Sequence, residues 1–285
     1  MPRLTRFIIY GAIFVAGFVL ISLFNFYLVT HPQKIELAIT PEGLSLPQEE
    51  VILEAEDGTS ISGWHIPSPE APEQALLLLH GYPAEKEDML FLARDLYPDF
   101  SLLLIDFRYF GESDGNASTL GVKERQDVRA AIDFLSERYE YIGVFGYSYG
   151  GAIALMHAAE DTRVDAIASY GAFSDLRTLG YETYRNLWIL KYPMIELMNL
   201  WMRVFHGAWA SSVSPTHSAK SISKPVFIGH TEGDPFVPVG HAHRILHALT
   251  ESGNQPQTYI ADGSSHIGLP RDLDEHLLEF FKGNI

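Results

Sequence analysis

Cysteine is absent from this chain. Disulfides, a thiol nucleophile and thiolate-bound metal are therefore excluded, while every compartment stays open. Basic residues are scarce: 20 Lys and Arg stand against 36 Asp and Glu, a formal charge of −16. Nucleic acid would be repelled by that balance, and a strongly anionic membrane surface would hold the chain poorly. A solvated acidic surface accounts for the excess, so no cationic partner follows from it. Internal repeats are missing, and so is any linker-like stretch in the middle. The 285 residues thus read as one large α/β core plus an N-terminal segment. No His-Glu-x-x-His occurs. His241, His243 and His247 cluster, but without a carboxylate at zinc-protease spacing they read as a solvated helix face. No metal or cofactor is required by any motif.

A long apolar run is present at the N-terminus. Phe7 to Val29 is 23 residues without a formal charge, interrupted only by Ser22, Asn25 and two tyrosines. At about 1.5 Å per residue it spans a hydrocarbon core of about 30 Å. Arg3 and Arg6 precede it and Lys34 alone follows nearby, so the positive-inside bias predicts a cytoplasmic N-terminus and an extracytoplasmic remainder. The competing reading is a cleaved signal peptide. Its apolar core would run about 7–15 residues and end in an Ala-x-Ala-like site, whereas this run ends Phe24-Asn25-Phe26-Tyr27-Leu28-Val29. The expected organisation is an uncleaved anchor over 1–30, a Pro-punctuated tether over 31–50 and a catalytic domain over 51–285.

Asp57-Gly58 between two strand-like runs, Val51–Ala55 and Ser60–Ile66, predicts a hairpin. From Ala75 onward apolar strands alternate with helical patterns. Strands are expected near 75–79, 101–105, 142–146, 164–170, 225–229 and 257–260, and helices near 87–97, 121–138, 150–159, 239–251 and 271–282. Such alternation predicts a mostly parallel sheet with helices on both faces, the hairpin supplying an antiparallel edge. Asp106 and Arg108, which close the strand near 101–105, read as a structural salt link.

Gly146-Tyr147-Ser148-Tyr149-Gly150 lies between one such strand and the helix after it. In that context a Gly-x-Ser-x-Gly pentapeptide forms a nucleophile elbow; alone, it is also what an ordinary Gly-rich turn would show. The turn is sharp, and glycines two residues to either side remove the Cβ atoms that would collide. A serine hydroxyl needs a base to take its proton and a carboxylate to orient that base. His266, in Ala261-Asp262-Gly263-Ser264-Ser265-His266, is the candidate base. Asp234, after the strand near 225–229, is the candidate acid, ahead of Asp262 and Asp175. All three candidates fall past C-terminal strand ends, where an α/β sheet gathers its functional loops. Two N–H groups should hold the developing oxyanion. They are assigned to Tyr149, directly after the serine, and Tyr82, in the Leu79-His80-Gly81-Tyr82 loop. His80 reads as structural.

Taken in order, these pieces resemble an α/β-hydrolase-fold serine hydrolase of the membrane-anchored monoacylglycerol-lipase-like or acyl-esterase-like kind. The resemblance rests on Leu79-His80-Gly81-Tyr82, Ile105-Asp106-Phe107-Arg108-Tyr109-Phe110-Gly111-Glu112-Ser113-Asp114-Gly115, the elbow, Asp234-Pro235-Phe236-Val237-Pro238 and Gly263-Ser264-Ser265-His266. Tyr109 stands where such proteins usually have Gly, and Thr231 where His-Gly is usual. The His-Gly-Gly-Pro-Gly of proline iminopeptidases is absent, and Ser148 replaces the elbow Asp of dehalogenases. The resemblance implies a lid in the insertion 171–215, whose aromatic and Met residues (among them Trp188, Met198, Trp201, Met202 and Phe205) suit a lipophilic acyl chain. The expected activity is hydrolysis of a small or lipid-like carboxylic ester through an acyl-enzyme. Amide or peptide cleavage by the same residues is the alternative, and a non-catalytic binding protein on this fold is a further one.

Overall fold

The computed structural model describes residues 3–34 and 39–285. It opens with helix α1 (Arg3–Thr30), 28 residues, the one described helix long and apolar enough to cross a membrane. The hairpin follows as β1 (Glu49–Glu54) and β2 (Ser60–Ile66), antiparallel. Its turn depends on Gly58, whose φ is 79°, a value that side-chain-bearing residues resist.

Next come β3 (Gln74–Leu79), α2 (Leu90–Leu96) and β4 (Ser101–Ile105). The helix expected near 87–97 is split, its first turn being a 3-10 turn over Lys86–Met89. Helix α3 covers Glu124–Ser136 and starts later than the pattern near 121 predicts. The reason is local. Leu120 and Gly121 have φ of 54° and 95°, outside helical space. The Glu124 carboxylate collects the N–H groups of Thr119 at 2.7 Å and Gly121 at 3.0 Å, which fixes a turn where the helix was expected.

The chain continues through β5 (Tyr141–Tyr147), α4 (Tyr149–Ala158) and β6 (Ala166–Tyr170). A helical insertion then carries α5 (Leu176–Thr183), a 3-10 turn over Arg185–Leu190, α6 (Lys191–His206) and α7 (Pro215–Ala219). The chain closes with β7 (Val226–Thr231), α8 (Gly240–Glu251), β8 (Gln257–Ala261) and α9 (Leu273–Lys282).

The eight strands form one sheet in the order β1-β2-β4-β3-β5-β6-β7-β8. Only the pairs β1–β2 and β2–β4 are antiparallel. This is the α/β-hydrolase fold. Alternate residues of β3 enter two cores: Leu77 and Leu79 face α3, α4 and α8, while Leu76 and Leu78 face α2 and α9. A strand buried on both faces reads as an unbroken apolar run, as Ala75-Leu76-Leu77-Leu78-Leu79 does. Every parallel strand points the same way, so the loops after β3, β5, β7 and β8 meet at one end of the sheet.

The body also receives the end of α1. Its buried residues are Ser22, Phe26 and Thr30, one stripe at four-residue spacing. This docking face occupies the last turns of α1, from Ser22 onward. The final carbonyls of a helix lack partners within it. Here the Tyr82 hydroxyl donates to Val29 O at 2.9 Å, and Ser118 N–H to Thr30 O at 2.8 Å. Beyond the helix, the Tyr109 hydroxyl donates to Pro32 O at 2.8 Å and Lys34 to Gly111 O at 3.0 Å.

Candidate active site

Ser148 sits between the last residue of β5 and the first of α4, with φ 52° and ψ −109°. That backbone is strained, by an amount on the order of 1–3 kcal/mol. Its surroundings hold it there. A Cβ on Gly146 would overlap the Gly150 carbonyl, and one on Gly150 would lie 2.5 Å from Leu79 O. The Ser148 N–H donates to Tyr170 O of the neighbouring strand at 2.7 Å. The hydroxyl therefore stands at the sheet end, and the residue itself is only 7 % exposed.

The loops after β7 and β8 bring Asp234 and His266 to it. Ser148 Oγ lies 2.8 Å from His266 Nε2, and His266 Nδ1 lies 2.5 Å from Asp234 Oδ2. The second Asp234 oxygen accepts from Phe236 N–H and Val237 N–H, each at 2.9 Å. Burial works to raise the Asp234 pKa, but the bonds from His266 and from these two N–H groups outweigh it and hold the carboxyl below its usual range. Asp234 thus faces His266 as an anion, and Nδ1–H is the donor of that pair. The other two carboxylates weighed from the sequence lie elsewhere. Asp262 is exposed. Asp175 caps α5 through Thr178 N–H at 2.7 Å.

Tyr149 is the first residue of α4, so its N–H is one of the free donors of a helix N-terminus. The Tyr82 loop approaches from β3: a Cβ on Gly81 would lie 3.6 Å from Ser148 Cβ. His80 is fully buried beneath it. Its Nδ1 donates to Gly81 O at 2.7 Å and its Nε2 accepts from Phe107 N–H at 3.0 Å. Asp106 binds Lys86 Nζ at 2.6 Å, and Arg108 binds Asp127 through 2.6 and 2.9 Å contacts. Both pairs close loops away from Ser148.

Above Ser148 lies a cavity of about 480 Å3. Leu176, Ile195, Met198 and Met202 of the insertion line it, with Tyr82 and Tyr149 below. Phe236 and Ile267, 62 % and 80 % exposed, form its rim. Among the described residues Arg177 is the one Lys or Arg in the lining, and no carboxylate borders it. Among the described residues no group of His, Asp and Glu is arranged to hold a metal ion.

Several contributors escaped the sequence reading. Phe26 and Val29 of α1 line the cavity. His230 is buried and donates from Nε2 to Val237 O at 2.7 Å, stiffening the Asp234 loop. The Tyr147 hydroxyl donates to His266 O and its ring stacks on the imidazole at 5.8 Å. Its place inside the elbow was the available signal. One expectation is corrected. His241 does not share the solvated face of His243 and His247. It is fully buried, 2.7 Å from Glu182 of α5, and accepts Ser174 N–H at 2.9 Å. Its partners are distant in sequence, which hid them.

Comparison with known proteins decides the family. Residues 113–285, more than half of the chain, match the prolyl oligopeptidase family. The chain belongs to that family. Membership, with the fold, makes it an α/β-hydrolase of the serine hydrolase class. The matched part of this prolyl oligopeptidase family member takes in Ser148, the insertion, Asp234 and His266; α1, the hairpin and the Tyr82 loop lie outside it. Among solved structures it is similar to the Pyrococcus furiosus esterase Pf2001, at 22 % identity and TM-score 0.73, over 90 % of this chain and 98 % of that one. It is also similar to the Pyrococcus horikoshii acylaminoacyl peptidase, at 20 % identity and TM-score 0.65, over 83 % of this chain and 41 % of that one. At such identities these likenesses carry the fold alone. In sequence it is 26 % identical over 264 residues to the alpha/beta hydrolase domain-containing protein WAV2 of Arabidopsis thaliana, 88 % of this chain and 83 % of WAV2.

Proposed function

We propose that the protein is a membrane-held carboxylic ester hydrolase acting on lipophilic acyl esters, of the monoacylglycerol-lipase-like or acyl-esterase-like kind. The observation that carries this reading is Ser148 Oγ within 2.8 Å of His266 Nε2 on the floor of an apolar cavity. His266 Nε2 takes the Ser148 proton as Oγ attacks the ester carbonyl, and Asp234 holds the imidazole and balances the imidazolium. The N–H groups of Tyr149 and Tyr82 receive the oxyanion. His266 then gives its proton to the leaving alcohol. Water, deprotonated by the same nitrogen, attacks the acyl-enzyme and releases the acid and free Ser148.

Amide or peptide cleavage is the second reading, and family membership favours it. Against an aminopeptidase stands the lining itself, where no carboxylate among the described residues is placed to receive a substrate α-ammonium. The test is a panel of p-nitrophenyl esters of graded chain length beside aminoacyl anilides, run on the full-length protein. Ester turnover should dominate, and Ser148→Ala should abolish both turnover and fluorophosphonate labelling. Dominant anilide turnover would move the assignment to a peptidase. A wild type with no adduct on Ser148 would make it a binding protein.

The same proposal places residues 1–30 across a membrane, N-terminus inside, with the catalytic domain from about residue 51 outside. Length and apolarity of α1 support it, as does the insertion. Tyr184 donates to Asn25 of α1 at 3.3 Å. The 3-10 turn directly after it exposes Leu187, Trp188, Ile189 and Leu190, side chains suited to a bilayer interface. Protease added to intact spheroplasts should digest the domain, and protection there would reverse the orientation.

A further inference from the structure

Two apolar spaces share one side chain. Phe26, 4 % exposed, lines the cavity over Ser148 and also a groove of about 560 Å3 between α1 and the end of α6. That groove is walled by Leu20, Leu23 and Phe24 of α1 and by Phe205 of α6. Among the described residues no Lys, Arg, Asp or Glu borders it. Phe26 stacks on Phe205 at 5.9 Å, and Trp201 Nε1 donates to Ser22 Oγ at 3.0 Å, so the seam between the helix and the insertion is built rather than incidental. Val29, one turn further on, lines the inner cavity and offers its carbonyl to Tyr82, the residue whose N–H is assigned to the oxyanion.

We propose that α1 is part of the substrate site, and that Phe26 is the partition that sets acyl length. A short acyl group fills the cavity over Ser148. A long one reaches past the Phe26 ring into the groove, whose Leu20 wall adjoins the stretch of α1 proposed to lie in the bilayer. The substrate class is accordingly a single long-chain acyl ester drawn from the membrane. The occupant of the groove is the far end of that chain, because Phe26 borders both spaces and the groove is lined largely by apolar side chains, with Tyr27, Thr30, His31 and His206 as its polar members. This rests on the ester reading above.

The test uses the full-length protein in nanodiscs, with butyrate, laurate and palmitate p-nitrophenyl esters and with kcat and KM resolved. Phe26→Ala joins the two spaces and should raise the palmitate-to-butyrate ratio of kcat/KM roughly tenfold, as burial of about two further methylenes would. Leu23→Trp fills the groove without touching the inner cavity. It should lower that ratio by a similar factor, mainly through a raised KM for palmitate. Ratios unmoved in both variants, with Ser148 still labelled by fluorophosphonate, would overturn the partition and leave the serine reading standing. If Phe26→Ala loses labelling, the Leu23→Trp ratio decides alone. An inert, unlabelled wild type would instead remove the ester reading, and the partition with it.

Discussion

Asp234 carries two tasks through its two oxygens. One faces His266, and the other collects the N–H groups of Phe236 and Val237. Exchange for Asn would keep the loop bonds and reverse the donor–acceptor sense toward Nδ1, leaving the imidazole in the wrong tautomer. Asp234→Asn should therefore lower kcat by about 10⁴-fold with a nearly unchanged urea midpoint; steady-state kinetics beside a denaturation curve would check it, and a loss below tenfold would dismiss the assigned acid. These positions were readable from sequence because each follows a short apolar strand within a few residues. Tyr109 was not. It stands in left-handed backbone with φ 75°, a conformation that costs a non-Gly residue about 1–2 kcal/mol. What offsets that cost lies far along the chain: Pro32 O under its hydroxyl and Lys34 over its ring at 5.4 Å.

At the scale of elements, the insertion is fastened to the body by α5 and α8. Glu182 accepts from His241 Nε2 at 2.7 Å and from Arg244 at 3.2 Å. Because Nδ1 already accepts Ser174 N–H, the His241 proton must sit on Nε2 and point at Glu182. Glu182→Ala leaves that buried donor without a partner and should cost about 1–3 kcal/mol, seen as a lower urea midpoint, while butyrate turnover per labelled site stays within a few fold. An unchanged midpoint would mean the contact holds nothing. The strands and the elbow were legible because their periods and punctuation are local. The docking face of α1 was not, for a physical reason. A helix that is apolar all round has no amphipathic stripe to betray which side is buried. Two of its polar interruptions were the available signal: Ser22 meets Trp201 and Asn25 meets Tyr184.

For the molecule as a whole, burial of neutral histidines shapes the acid limb of stability. His80, His230 and His241 are fully buried, and burial lowers the pKa of each despite the opposing carboxylates Asp106, Asp234 and Glu182. Their unfolded value is about 6.5. Below it the unfolded chain binds protons that the folded chain refuses, so stability is full above about pH 6.5 and declines as pH falls toward the folded values. Three such groups give a slope of up to about 4 kcal/mol per pH unit. The decline should start well before Asp234, held low, is protonated. Urea midpoints between about pH 7 and 5 would show it, and a flat profile there would mean these histidines are charged or solvated. The docked end of α1 has a last consequence, for kinetics. Under the proposed anchoring, an enzyme whose anchor is also a wall of its cavity would have no free swing above the lipid and would stand at one height and in one posture. Its rate should then follow the mole fraction of ester within the surface rather than the amount in the suspension, so that diluting the lipid with inert detergent slows turnover while the bulk concentration stays fixed.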